Sequence, residues 1–172
     1  ERLIVELRDR IAAIEIEGET APLLGLLAWS TAALVKAGIG DPATLSEAET
    51  QADALLVMAP DAPYGYFVHG LVAHERGRLP EAVRYFREVL AREPNDADAL
   101  FWLGISFNIA GDLAGAEETA LRLMACDPLS PLAWLLTGVW HWFSGRVEES
   151  SAPLRRGLEL DPHNFILHWT LG

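Results

Sequence analysis

Four registers of residues in this chain of 172 recur at one interval of 34. Prolines stand at Pro60, Pro94, Pro128 and Pro162, and glycines at Gly70, Gly104, Gly138 and Gly172. A second glycine register runs through Gly77, Gly111 and Gly145, and a small-residue register through Ala48, Ala82, Ala116 and Ser150. A period in this range marks units that cannot bury their apolar face alone and must stack on their neighbours.

Each interval holds two runs of about a dozen residues with helical apolar spacing. In the stretch 77–96 the stripe is Ala82, Val83, Phe86, Val89 and Leu90, recurring at three and four residues. Gly77 is expected to end the first helix, because glycine tolerates the left-handed conformation common there. Pro80 suits the first turn of the second helix, where a missing N–H costs little, and Pro94, Pro128 and Pro162 stop each second helix. Small residues at Gly70 and Ala82 allow two antiparallel helices to approach closely.

These residues resemble the tetratricopeptide repeat family, whose unit pairs a helix A carrying large residue, Leu, Gly and aromatic with a helix B carrying Ala, aromatic, small residue and Pro. The segment 63–96 supplies Tyr66, Gly70, Ala73, Ala82, Phe86, Val89 and Pro94. The segment 97–130 supplies Leu100, Leu103, Gly104, Phe107, Ala116, Ala120, Leu123 and Pro128. The segment 131–164 supplies Trp134, Gly138, His141, Leu154, Gly157 and Pro162. The resemblance implies an all-α fold, a right-handed α-solenoid of antiparallel helix pairs. It divides the chain into a degenerate first repeat over 19–62, three full repeats, and a truncated helix A over 165–172. In the last full repeat Ser150 replaces alanine, and Pro153 and Gly157 fall inside helix B. An interior proline costs about 3 kcal/mol, so a late start near Ser150 or a kink at 149–153 is expected, with this repeat the least stable.

The two ends carry their own expectations. In residues 1–18, Ile4, Leu7, Ile11 and Ile14 are spaced as a heptad seam closed by Gly18, which reads as a cap on the first repeat or as a coiled-coil linker. The final "FILHWTLG" reads as a helix A without its helix B, leaving Phe165, Ile166 and Trp169 partly exposed and suggesting a fragment of a longer bacterial regulator.

Charge and composition narrow the function. A net charge of −12 disfavours nucleic acid and anionic lipid. The apolar stretches 21–35 and 128–145 are too short or too interrupted to span a membrane, and no signal peptide is evident, which suits a cytoplasmic protein. Neither a phosphate loop nor a GxSxG motif occurs, and no second His or Cys flanks His74 at metal-ligand spacing. The lone Cys126 reads as an inert core thiol, and Glu117, Glu118, Glu148 and Glu149 as acids near the starts of helices B. No enzyme, cofactor or metal is expected.

The resemblance further implies that helices A line a concave groove. The positions it assigns there are Tyr64, Phe67, Leu71, His74 and Glu75, then Asp98, Phe101, Ile105, Asn108 and Ile109, then Leu132, Leu135, Val139, Trp142 and Phe143. Family members that clamp a C-terminal carboxylate use Lys, Asn and Arg, where this chain has Phe67, Leu71, Leu132 and Leu136. The expected partner is therefore an apolar or amphipathic peptide or helix. The alternative is self-association, a homodimer whose groove is filled by its own or a neighbouring chain's helix.

Overall fold

A computed structural model describes residues 25–31 and 42–172. The helix expected over 1–18, and the part of the degenerate repeat around Lys36, lie outside the described residues. Every regular element among the described residues is helical, as the sequence implies. After a helical segment at 25–31 come α1 (Pro42–Met58), α2 (Pro63–Glu75) and α3 (Leu79–Arg92). They are followed by α4 (Ala97–Ala110), α5 (Leu113–Cys126), α6 (Pro131–Phe143), α7 (Val147–Leu160) and α8 (Phe165–Leu171). The chain divides into two units, Glu1–Glu93 and Pro94–Gly172. In the first, α2 packs on both α1 and α3; in the second, α4–α5, α5–α6, α6–α7 and α7–α8 are packed neighbours, and α4 also lies directly against α6.

The glycines end helices as expected. Gly77, Gly111 and Gly145 take φ of 71°, 80° and 77°, a left-handed turn that a side chain would strain. In each case the next residue's N–H reaches back to a carbonyl five residues earlier: Arg78 to Ala73, Asp112 to Phe107 and Arg146 to His141, at 2.8 to 3.0 Å. Gly70 has a different role. A Cβ built there would lie 2.6 Å from the Phe86 ring, so its missing side chain seats that aromatic of α3 on α2. Gly104 does the same for Leu136 of α6, and Gly138 for Leu154 of α7.

The helix-closing prolines do more than stop a helix. The Tyr66 hydroxyl donates to the Pro60 carbonyl at 2.8 Å, the Trp134 indole to Pro128 at 2.9 Å, and His168 Nε2 lies 2.9 Å from Pro162. The equivalent residue in the remaining repeat, Leu100, has no donor. There the Arg122 guanidinium donates to the Pro94 carbonyl instead. A carbonyl left open at a helix end needs a partner, and the chain supplies one at all four joints.

The sequence reading departs from the structure in two places here. The helix containing Pro153 starts at Val147, not near Ser150, and runs without a break to Leu160. Ser150, Pro153, Leu154 and Gly157 are all buried on it. Packing of that face offsets the single backbone hydrogen bond that Pro153 removes. Cys126 is exposed rather than core: it is the last residue of α5, beyond Leu123, the final buried side chain, and its Sγ sits 3.4 Å from Asn95 Oδ1.

Candidate protein-binding face

The thirteen residues assigned to a groove, with Glu75 and Ile109 beside them, separate by burial. On α2, Phe67 and Leu71 are buried, with Phe67 edge-on to Phe86 at 5.8 Å, whereas His74 is half-buried and Tyr64 and Glu75 are exposed. On α4, Phe101 and Asn108 are buried, Ile105 is half-buried, and Asp98 and Ile109 are exposed. On α6, Leu135 is buried, Leu132 and Val139 are half-buried, and Trp142 and Phe143 are exposed. Phe67, Leu71, Phe101, Asn108 and Leu135 are thus enclosed in this structure. Besides Asp98 and Leu132 near the helix starts, what remains open in the second unit is Ile105, Ile109, Val139, Trp142 and Phe143 on the adjacent helices α4 and α6, a strip of apolar side chains.

Local chemistry holds this strip in place. Trp140 is buried, and its indole N–H donates to the Leu113 carbonyl at 3.2 Å, tying the end of α6 to the start of α5. The Arg146 guanidinium covers the other side of that ring at 4.2 Å and lies 3.8 Å from Glu149. Trp142 and Phe143, edge to face at 5.1 Å, therefore project from a pinned helix end. Sequence reasoning missed Trp140; its only signal was a second tryptophan two residues before Trp142, on a helix apolar on every side. Side-chain caps fix the helix starts: Asp96 accepts from the Ala99 N–H at 2.6 Å and Ser130 from the Leu132 N–H at 3.2 Å.

The strip is nearly free of charge. Asp98 is the one charged residue on α4, and α6 has no Asp, Glu, Lys or Arg. Asn108 spends its Nδ2 on the Gly104 carbonyl at 3.0 Å and keeps a buried Oδ1 without a partner.

The histidines engage other partners. His69 pairs with Asp53 at 3.1 Å and stacks on Tyr85, and His141 Nδ1 lies 3.5 Å from Glu149. Among the described residues no three His, Cys, Asp or Glu side chains are grouped to hold a metal ion. Glu148 and Glu149 occupy the first turn of α7, while Glu117 and Glu118 sit a turn deeper in α5 than expected. No described helix is long and apolar enough to cross a membrane.

The family profile described as Tetratricopeptide repeat matches residues 45–87 and 69–131. The chain belongs to the tetratricopeptide repeat family. A curated relative, cellulose synthase 2 operon protein C of Komagataeibacter xylinus, is 35% identical over 104 residues, which is 58% of this chain and 8% of that protein. The chain thus spans a small part of that relative's length. Among solved structures, a thermophilic tetratricopeptide repeat protein of Thermus thermophilus superposes with a TM-score of 0.75 at 17% identity, covering 98% of this chain and 86% of that one. The first tetratricopeptide repeat domain of Spaghetti (RPAP3), bound to the HSP90 peptide SRMEEVD, gives a TM-score of 0.57 at 19% identity, over 63% of this chain and 86% of that one. These likenesses establish the shared repeat fold.

Proposed function

We propose that this tetratricopeptide repeat chain is a non-enzymatic interaction scaffold that binds an apolar or amphipathic helix along the α4–α6 strip. The observation that carries the reading is the exposure of Ile109, Trp142 and Phe143 beside half-buried Ile105 and Val139, on a surface with a single charge. Contiguous exposed apolar area with aromatic anchors is what a partner helix uses for affinity. Peptide capture by the Spaghetti domain supports a peptide as the kind of ligand this fold takes. An acidic tail such as that one is not the ligand proposed here, because α2, α4 and α6 contain neither Lys nor Arg to pair with a carboxylate. The repeat divisions at 19–62, 63–96, 97–130 and 131–164 belong to the same proposal, as does a place in a bacterial, cytoplasmic regulatory protein.

A neutral amphipathic peptide, with a Leu/Phe stripe at helical spacing and Gln elsewhere, tests the reading by calorimetric titration. Binding should weaken more than about tenfold in Ile109→Ser/Trp142→Ser, with the melting temperature kept. Unchanged binding to that variant would refute it.

A second reading has its own observation. Phe165 and Trp169 on α8 are strongly exposed, at 74% and 79%, and offer a face for self-association into a homodimer. Light scattering separates the two, since a monomer mass at every concentration removes the dimer.

A further inference from the structure

The strip is apolar, but the unit around it is not neutral. Residues 94–172 carry ten acidic side chains and four basic ones, all arginine. Three of those arginines are engaged within the unit. Arg122 donates to the Pro94 carbonyl, Arg156 pairs with Glu159, and Arg146 lies between the Trp140 ring and Glu149. The fourth, Arg155, is on α7 rather than on either strip helix. The only charge within the strip helices is Asp98, exposed in the first turn of α4. A partner helix laid on α4 and α6 therefore meets apolar side chains on a unit whose ten acids outnumber its four arginines.

We infer that the α4–α6 strip selects an amphipathic helix whose polar flanks are basic, a Lys- or Arg-bordered apolar stripe, and discriminates against one with acidic flanks. The inference rests on the reading of the strip as a binding surface and adds the sign of the partner's charge. Charge complementarity outside an apolar centre speeds encounter and rejects partners of the wrong sign, and salt weakens both effects. Acidic peptides face a double disadvantage here. Neither α4 nor α6 carries a Lys or Arg to pair with their carboxylates, and the unit's net negative charge repels them before the apolar stripe can seat.

Three synthetic helices test this, identical in their Leu/Phe stripe and bearing Lys, Gln or Glu at the flanking positions. Each is titrated into the full chain at about 50 mM and at about 500 mM salt. At low salt the Lys peptide should bind about tenfold or more tighter than the Glu peptide, with Gln between. At high salt the spread should shrink to about twofold, because screening removes the field while the stripe remains. Asp98→Asn should narrow the preference by roughly threefold at low salt. Ile109→Ser/Trp142→Ser should weaken all three peptides together. Equal binding of the Lys and Glu peptides, or tighter binding of the Glu peptide, overturns the inference and leaves the neutral-peptide reading standing. Lys-peptide binding that survives Ile109→Ser/Trp142→Ser also overturns it, since attraction to carboxylates alone would then suffice. Failure of the Gln peptide to bind overturns the underlying reading itself.

Discussion

Within Pro94–Gly172 the same two helices carry two apolar stripes with opposite surroundings. Phe101 and Leu135 are 5% and 1% exposed, whereas Ile109 and Trp142 are 51% and 55% exposed, although all four sit on α4 or α6. The first pair is buried on helices that pack on each other and on their neighbours α5 and α7. The second pair lies at the C-terminal ends, each the penultimate residue of its helix. Residue type does not distinguish the pairs, since each joins an aromatic to an aliphatic. An apolar residue on a helix A is thus enclosed in the core or left open to solvent according to what covers it.

The largest test of this division falls on the inner stripe. Phe101→Ala and Leu135→Ala should cost about 3–5 and about 2–5 kcal/mol respectively, through lost burial and the cavity left behind. Thermal unfolding followed by circular dichroism would read this as a fall of many degrees. A shift of under a degree would place these residues in the outer class. Gly70→Ala comes next, at about 1–3 kcal/mol, because the new methyl meets the Phe86 ring and Phe86 is itself fully buried. Denaturant unfolding should show the loss, and a neutral result would mean that α2 and α3 can part without penalty.

A smaller effect attaches to the staple between α1 and the end of α2. Glu49 lies 2.7 Å from Arg76 and 3.6 Å from Arg78. Burial pushes its carboxyl upward, but the hydrogen bond from Arg76 and the charges of Arg76, Arg78 and His69 outweigh it. The group titrates below its ordinary 4.5. A carboxylate with a lowered folded-state value adds stability above its unfolded value and loses it as pH falls through the folded one. Glu49→Gln should therefore be less stable than the parent at neutral pH, by on the order of 1 kcal/mol or less. The two melting curves should converge below about pH 4. A gap that persists or widens in acid would remove the ionic account. The outer stripe should move stability least: Ile109→Ser/Trp142→Ser is expected to stay within about 0.5 kcal/mol of the parent, as exposed substitutions usually do. A loss as large as that of Leu135→Ala would erase the distinction between the stripes.

How much of this was legible depended on the helix. For α3 the apolar spacing marked the buried face well: Ala82, Phe86, Val89 and Leu90 are buried, and Val83 is half-buried. Glu81, Arg84, Arg87, Glu88 and Arg92 occupy most of the rest of that helix and show where solvent lies. Helix α4, "ADALFWLGISFNIA", offers no such contrast, because it is apolar nearly all round and periodicity cannot choose its open face. The groove positions implied by the family resemblance join buried Phe101 and Asn108 with exposed Ile109, and the helix's own pattern could not sort them. Trp169 makes the same point from the other side. It stands 34 residues after Leu135 and 68 after Phe101, both buried, yet is 79% exposed. Its neighbours, not its place in the repeat, set its exposure. The late start expected from Pro153 failed for a related reason, since local propensity registers the lost hydrogen bond and is blind to the tertiary packing that offsets it.

The most direct measurement is residue-resolved: amide chemical shifts of the labelled chain during titration with the neutral Leu/Phe peptide. The account predicts shifts concentrated at Ile105, Ile109, Val139, Trp142 and Phe143, with the exposed α5 residue Leu121 and the α8 aromatics unmoved. Shifts centred on Phe165 and Trp169 instead, with α4 and α6 silent, would contradict it.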